Sequence, residues 1–113
     1  MAGAAIAQCL AVNRKIRSLD LGDNCLQDAG CAMIVGAVAA NPGIVSLNIS
    51  NNQAGRATAS TLANVFVRGG TLHTIIASHN NIGTFLIPRL LDSLPFCHAL
   101  RVLDLSYNKV SSR

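Results

Sequence analysis

Apolar and polar positions alternate along this chain in blocks that return every 28 residues. Ile16, Leu19, Leu21 and Leu26 are followed at the same spacing by Ile44, Leu47, Ile49 and Ala54. Leu72, Ile75, Ala77 and Ile82 come next, and then Leu100, Leu103, Leu105 and Val110. Around the central apolar pair of each block stand polar or small residues, such as Ser18, Asp20 and Gly22 around Leu19 and Leu21. That is the period of two expected of a β-strand. Between blocks the spacing becomes helical. Ile6, Cys9 and Leu10 predict a helix over residues 1–15. Asp28, as N-cap, opens a second helix that runs to about Ala40 and ends at Asn41, Pro42 and Gly43. A third is predicted from Arg56 to Val67, with Leu62, Val65 and Phe66 inward and Gly69 and Gly70 as the stop. In the last, Thr84 is the cap, Pro88 sits near the start where a missing N–H costs least, and Pro95 marks the end.

Each unit therefore has one apolar strand face and one apolar helix face, and neither is buried in a single unit. Stacking the units makes columns: Leu19, Leu47, Ile75, Leu103 in the strands, and Ile6, Ile34, Leu62, Leu90 or Leu10, Val38, Phe66, Leu94 in the helices. Parallel strands joined by right-handed helical crossovers are the natural connection. The expected fold is an α/β, right-handed solenoid with a short parallel sheet on the concave side and helices on the convex side. The frame divides one domain, 1–113, into the helix of a partial repeat (1–15), three full repeats (16–43, 44–71, 72–99) and a partial repeat (100–113). Solenoids carry polar terminal caps and none is legible here, so a fragment of a longer array is expected, with self-association end to end and packing inside a larger assembly as the alternatives. Asn24, Asn52, Asn80 and Asn108 occupy one fixed phase, once per repeat. They are expected to form a structural ladder that supplies both donors and acceptors to the buried turns.

The segments IRSLDLGDNCLQDAG, IVSLNISNNQAG, LHTIIASHNNIG and LRVLDLSYNKV resemble the leucine-rich repeat signature L-x-x-L-x-L-x-x-N-x-L. A period of 28 with a full helix in the variable half is similar to the ribonuclease-inhibitor-like subclass. That subclass includes ribonuclease inhibitor, the Ran GTPase-activating protein and the sensor domains of NOD-like receptors. The resemblance implies a non-catalytic protein-interaction or scaffold module that binds a protein on its concave face. The alternative it implies is part of a regulatory protein, such as a GTPase activator or a NOD-like sensor. No catalytic residue of an activator maps onto this sequence, and the nucleotide-binding region of the receptors is absent from it. Ribonuclease inhibition fits poorly, because that protein alternates two repeat lengths and is dense in cysteine.

Composition narrows the chemistry. Half of the 113 residues are hydrophobic but few are aromatic, which favours a layered aliphatic core. Only 12% are charged and glutamate is absent, so no glutamate acid/base or metal site exists within this sequence. The net charge of +4 comes from nine Lys and Arg against five Asp. Arg14, Lys15 and Arg17 form the one cluster along the sequence, without the stacking aromatics of a nucleic-acid surface, so no nucleic-acid partner is expected. Arg17, His73 and Arg101 share a repeat position, interrupted by Val45; the two readings are a site for an acidic partner and a solvated edge, and the solvated edge is the one expected. Cys9, Cys25, Cys31 and Cys97 fit no zinc spacing, and Cys9 and Cys31 fall in helix columns as small core residues. His73, His79 and His98 lack a third ligand at suitable spacing, and nothing orients an imidazole toward Cys25 or Cys97. Neither a metal site, a cofactor nor catalysis is expected. With no secretory signal pattern, reduced thiols in a cytoplasmic protein are the expectation. The apolar run from Ala29 to Ala40 is too short to span a bilayer, so no membrane role is expected.

Residues alternating with the core leucines face outward on the concave sheet in four columns. The first (Ser18, Ser46, Thr74, Val102) and third (Gly22, Ser50, Ser78, Ser106) carry mostly small residues that leave the surface open to a partner. The second (Asp20, Asn48, Ile76, Asp104) and fourth (Asp23, Asn51, His79, Tyr107) carry the chemical variety. These eight are the candidate partner-binding residues, with Tyr107 as a candidate hot spot beside His79.

Overall fold

The computed structural model describes residues 2–83 and 86–108. Helices and strands alternate: α1 (Ala2–Val12), β1 (Ser18–Asp20), α2 (Gln27–Ala39), β2 (Ser46–Asn48), α3 (Arg56–Val67), β3 (Thr74–Ile76), α4 (Leu86–Ser93) with a 3-10 turn (Leu94–Phe96), and β4 (Val102–Asp104). The strands form one parallel sheet in the order β1-β2-β3-β4. Ser18 pairs with Ser46, Ser46 with Thr74 and Thr74 with Val102, each step 28 residues. Each helix packs against the next along the other side of the sheet, giving the expected α/β solenoid.

The elements follow the sequence pattern with local corrections. α3 has the predicted bounds, and Leu62, Val65 and Phe66 are all buried. Its end is a Schellman-type stop. Gly69, at φ 70°, donates its N–H to the Phe66 carbonyl, and the Gly70 N–H reaches the Val65 carbonyl. α1 stops at Val12 rather than residue 15, because the Asn13 Oδ1 accepts from the Lys15 and Ile16 N–H groups and turns the chain. The paired strands are three residues each, shorter than the blocks of alternating apolar and polar positions. Register continues beyond them through bonds such as Leu21 N–H to the Asn48 carbonyl and Ile49 N–H to the Ile76 carbonyl, both 2.8 Å. The Thr84 cap, the Val110 position of the apolar frame and Met1 lie outside the described residues.

The core is continuous and aliphatic. Leu47, Ile49, Ile75 and Ala77 from the inner strands meet Ile34, Val38, Leu62, Phe66 and Leu90 from the helices, all buried. Leu19, Leu21, Leu103 and Leu105, from the outer strands of the sheet, are half-buried in the same columns. α1 has a helix neighbour on one side only among the described residues, and this corrects the reading of Cys9. Cys9 is exposed, whereas Val65, two repeats on in its column, is buried between neighbouring helices. Cys31 is buried, and desolvation followed by the charge of Asp28 pushes its thiol up to about 11. The α1–α2 contact is close because both sides are glycine: a Cβ on Gly3 would stand 2.5 Å from the Gly30 Cα.

Cross-repeat hydrogen bonds fix one unit on the next. The Asn52 Oδ1 accepts from the Asn24 and Leu26 N–H groups, and the Asn80 Oδ1 from Asn52 and Ala54. The Asn108 Oδ1 accepts from Ile82. Their amide nitrogens donate back to strand-end carbonyls of the preceding repeat: Asn52 to Leu21, Asn80 to Ile49 and Asn108 to Ala77. A second buried asparagine, Asn41, ties the opposite side by donating to the Leu10 and Asn13 carbonyls while accepting from the Gly43 N–H.

Asp28 does not cap its own helix. It lies in the first turn of α2, which begins at Gln27 without a side-chain cap. Its carboxylate instead crosses to α3 and accepts from the N–H groups of Gly55, Ala57 and Thr58 and from the Thr58 hydroxyl, at 2.7–2.9 Å. Gly55, the N-cap of α3, has no side chain of its own to do this. Desolvation pushes the Asp28 carboxyl up, but the donors from Thr58, Ala57 and Gly55 outweigh it and hold the group below the usual carboxylate range.

Two outcomes follow for stability. Asn80→Ala strands turn N–H groups and strand-end carbonyls in two repeats and is expected to cost about 3–5 kcal/mol in urea unfolding. Asn24→Ala, at an exposed rung, is expected to cost about 1 kcal/mol. Because the folded Asp28 carboxyl is depressed, its contribution is complete above the unfolded value of about 3.9 and is lost as pH falls through the lower folded value. Asp28→Asn should flatten that acid loss, read by comparing unfolding free energies of parent and variant at acidic and neutral pH.

Candidate protein-binding surface

The candidate residues divide into two sets. Asp20, Asn48, Ile76 and Asp104 stand side by side across the sheet, in register. Asp23, Asn51, His79 and Tyr107 form a row just past the C-terminal ends of the strands, and all four have left-handed backbones, at φ 61°, 52°, 55° and 54°. The row is held by bonds from the N–H groups of Asp23, Asn51 and His79 to the carbonyls of Ser50, Ser78 and Ser106, each 3.0 Å. Asp and Asn tolerate this conformation, whereas a ring-bearing side chain in it is uncommon. His79 and Tyr107 are held there by the same turn that suits Asp23 and Asn51.

That geometry brings side chains 28 residues apart into contact. The His79 and Tyr107 rings stack with centroids 4.6 Å apart and planes 20° from parallel. Asn51 donates its amide to the Asp23 carboxylate. Tyr107 is 77% exposed, so the stack presents its outer face to solvent. Beside it lies an open depression of about 340 Å³ lined by Asn51, Gln53, His79, Asn80, Asn81 and Tyr107. Gln53 and Asn81 were not among the sequence candidates. They share the position after the ladder asparagine, a regularity that marks them once the turn is known to face outward.

Part of the sheet-face set serves the turn. The Asp20 Oδ1 accepts from the Gly22 N–H, the Asn48 Oδ1 from the Ser50 N–H, and the Asp104 Oδ1 from the Ser106 N–H and hydroxyl. The sequence signal is an Asp or Asn two residues before Gly or Ser, the pattern of an Asx-turn. The Ser106 hydroxyl, and next its N–H, hold the Asp104 carboxyl below the usual range, with nearby His79 contributing in the same direction. Ile76 cannot make the turn bond. It is an apolar step between Asn48 and Asp104. Ser78 is buried, so the third column is not open along its whole length as expected from its small residues.

A family profile described as Leucine Rich repeat matches residues 12–35 and 96–113. The solved tropomodulin C-terminal domain from Caenorhabditis elegans is similar in fold, with a TM-score of 0.81 over 96% of this chain at 12% identity. The chain folds as an α/β leucine-rich repeat solenoid. It spans 66% of the length of that solved domain. The segments matched by the profile hold Leu19, Leu21, Leu103 and Leu105. The middle repeats carry Ile49, Ile75 and Ala77 in the same columns, which keeps the packing while departing from leucine. Among the described residues, no helix is long and apolar enough to cross a membrane, and no three metal-ligating side chains gather. The described cysteines are free thiols.

His79→Gly removes about 1–2 kcal/mol of left-handed backbone cost and about 0.5–1.5 kcal/mol of ring stacking. Its unfolding free energy should stay within about 1 kcal/mol of the parent. His79→Val keeps the backbone cost and loses the stack, and its urea midpoint should fall clearly below that of His79→Gly.

Proposed function

We propose that this chain is a non-catalytic protein-interaction module that takes its partner on the concave sheet and the row at the C-terminal ends of β3 and β4. The observation that carries the reading is the His79–Tyr107 stack. Two rings occupy backbone positions where Asp and Asn sit more comfortably, and they turn an aromatic face to solvent. A tyrosine in such a place offers apolar area and a hydroxyl at low entropic cost. Ile76 adds an apolar contact where the other repeats place a turn-forming Asp or Asn, and Asp104 and Asn51 flank it with polar groups. The 28-residue register of the sheet, with a helix in each repeat, supports placement in the ribonuclease-inhibitor-like subclass. The half-buried Leu19, Leu21, Leu103 and Leu105 favour a further repeat or a second copy against the outer strands.

Affinity capture of partners with the parent and with Asp104→Lys plus Tyr107→Ala tests the surface. Both side chains lie outside the core, at β4 and just past its C-terminal end, and the Asp104–Ser106 turn bonds lost are exposed, so folding measured by circular dichroism should survive. Recovery of the parent's specific partners is expected to fall at least about tenfold, the loss of roughly one hot-spot contact. Undiminished recovery would remove the concave surface from consideration.

A further inference from the structure

The opposite rim, where the chain enters the strands, gathers charge that is scattered in sequence. Arg14, Lys15 and Arg17 lie between α1 and β1, Arg68 follows α3, and Arg101 immediately precedes β4. All five are exposed, and they are five of the seven Lys and Arg side chains on the described residues. The loops that make this rim, 13–17, 41–45, 68–73 and 97–101, contain no Asp or Glu. Three of the five Asp of the chain, Asp20, Asp23 and Asp104, lie on the concave face and the far rim.

Backbone pairing sets two of these cations, Arg17 and Arg101, in one register with His73. The Val45 N–H bonds the Arg17 carbonyl, the His73 N–H bonds the Val45 carbonyl, and the Arg101 N–H bonds the His73 carbonyl, each at 2.8 Å. Arg17, Val45, His73 and Arg101 therefore form one row across the sheet, with about 14 Å from Arg17 to Arg101 at the usual strand spacing. Arg17 and Arg101 flank strands, so compensation of helix ends does not account for them. Phe96 stands 56% exposed at the same rim, and its carbonyl would lie 3.1 Å from a Cβ at Gly69, in the neighbouring loop.

We propose that this rim is a second interaction surface, separate from the concave face, which takes an acidic protein segment. The segment lays carboxylates across the Arg17–His73–Arg101 row and an apolar side chain against Phe96. Five fixed charges are few for a phosphate track, in which charge contacts supply nearly all of the affinity. The exposed Phe96 instead suits a protein segment that mixes acidic and apolar residues.

Fluorescence anisotropy of the full chain tests this with a labelled peptide alternating glutamate and leucine, its lysine counterpart, and an oligothymidylate of similar length. The glutamate peptide should bind, weaken with added salt, and lose about tenfold in affinity to Arg17→Ser plus Arg101→Ser. Tyr107→Ala, on the far rim, should bind it as the parent does, so failure of the concave surface and failure of the rim are read separately. Equal binding of the lysine peptide, tighter binding of the oligothymidylate, or an unchanged affinity in a folded double-arginine variant would each overturn the proposal.

Discussion

The structure depends on the hydrogen bonds that asparagine side chains make from one repeat to the next. Asn52, Asn80 and Asn108 each accept from the turn of the preceding repeat and donate to the carbonyl at the end of its strand. A turn in this position is enclosed by the core, and its backbone groups are out of reach of solvent. One amide side chain carries a donor and an acceptor on a short stem, and so satisfies both kinds of group at once. Asn41 does the same at the other side of the sheet, and Asp28 crosses between repeats to cap α3. The core leucines make the repeats adhere, while these polar bonds set them in register.

The candidate binding surface is a by-product of that register. The turn that delivers each ladder asparagine requires a left-handed residue two positions after the last core residue of the strand segment. That requirement places Asp23, Asn51, His79 and Tyr107 in a row at one side-chain step per repeat. Where the row carries rings, they stack and face outward. Where the neighbouring column carries Ile76, the turn gives up an Asx bond and the surface gains an apolar step. Chemistry that departs from the repeat is therefore concentrated where the backbone is most constrained.

Most of the fold was legible along the chain because the columns are simple. Every inner strand residue of the apolar frame is buried, and α3 begins and ends where its pattern does. The misreadings share a cause. Cys9 has the spacing of a core residue, but among the described residues its helix has a neighbour on one side only. Asp28 has the composition of a cap but serves the next helix, because stacking brings the start of α3 within hydrogen-bond reach of its carboxylate. Asp20, Asn48 and Asp104 were legible as surface residues, yet their local turn bonds become evident only when the backbone is seen to fold over them.

The sequence by itself determined the period, the apolar columns, the asparagine column and the alternation of helix and strand. Those properties follow from covalent spacing and from the need to bury one face of each element. Only the tertiary structure decided which side chains meet across the period. It stacked the His79 ring on the Tyr107 ring, sent Asp28 to α3, and brought Arg68 and Phe96 to the rim where the period had already aligned Arg17, His73 and Arg101. Residues separated by 28 or more positions become neighbours through the stacking of repeats at about 4.8 Å, a distance that no local pattern encodes.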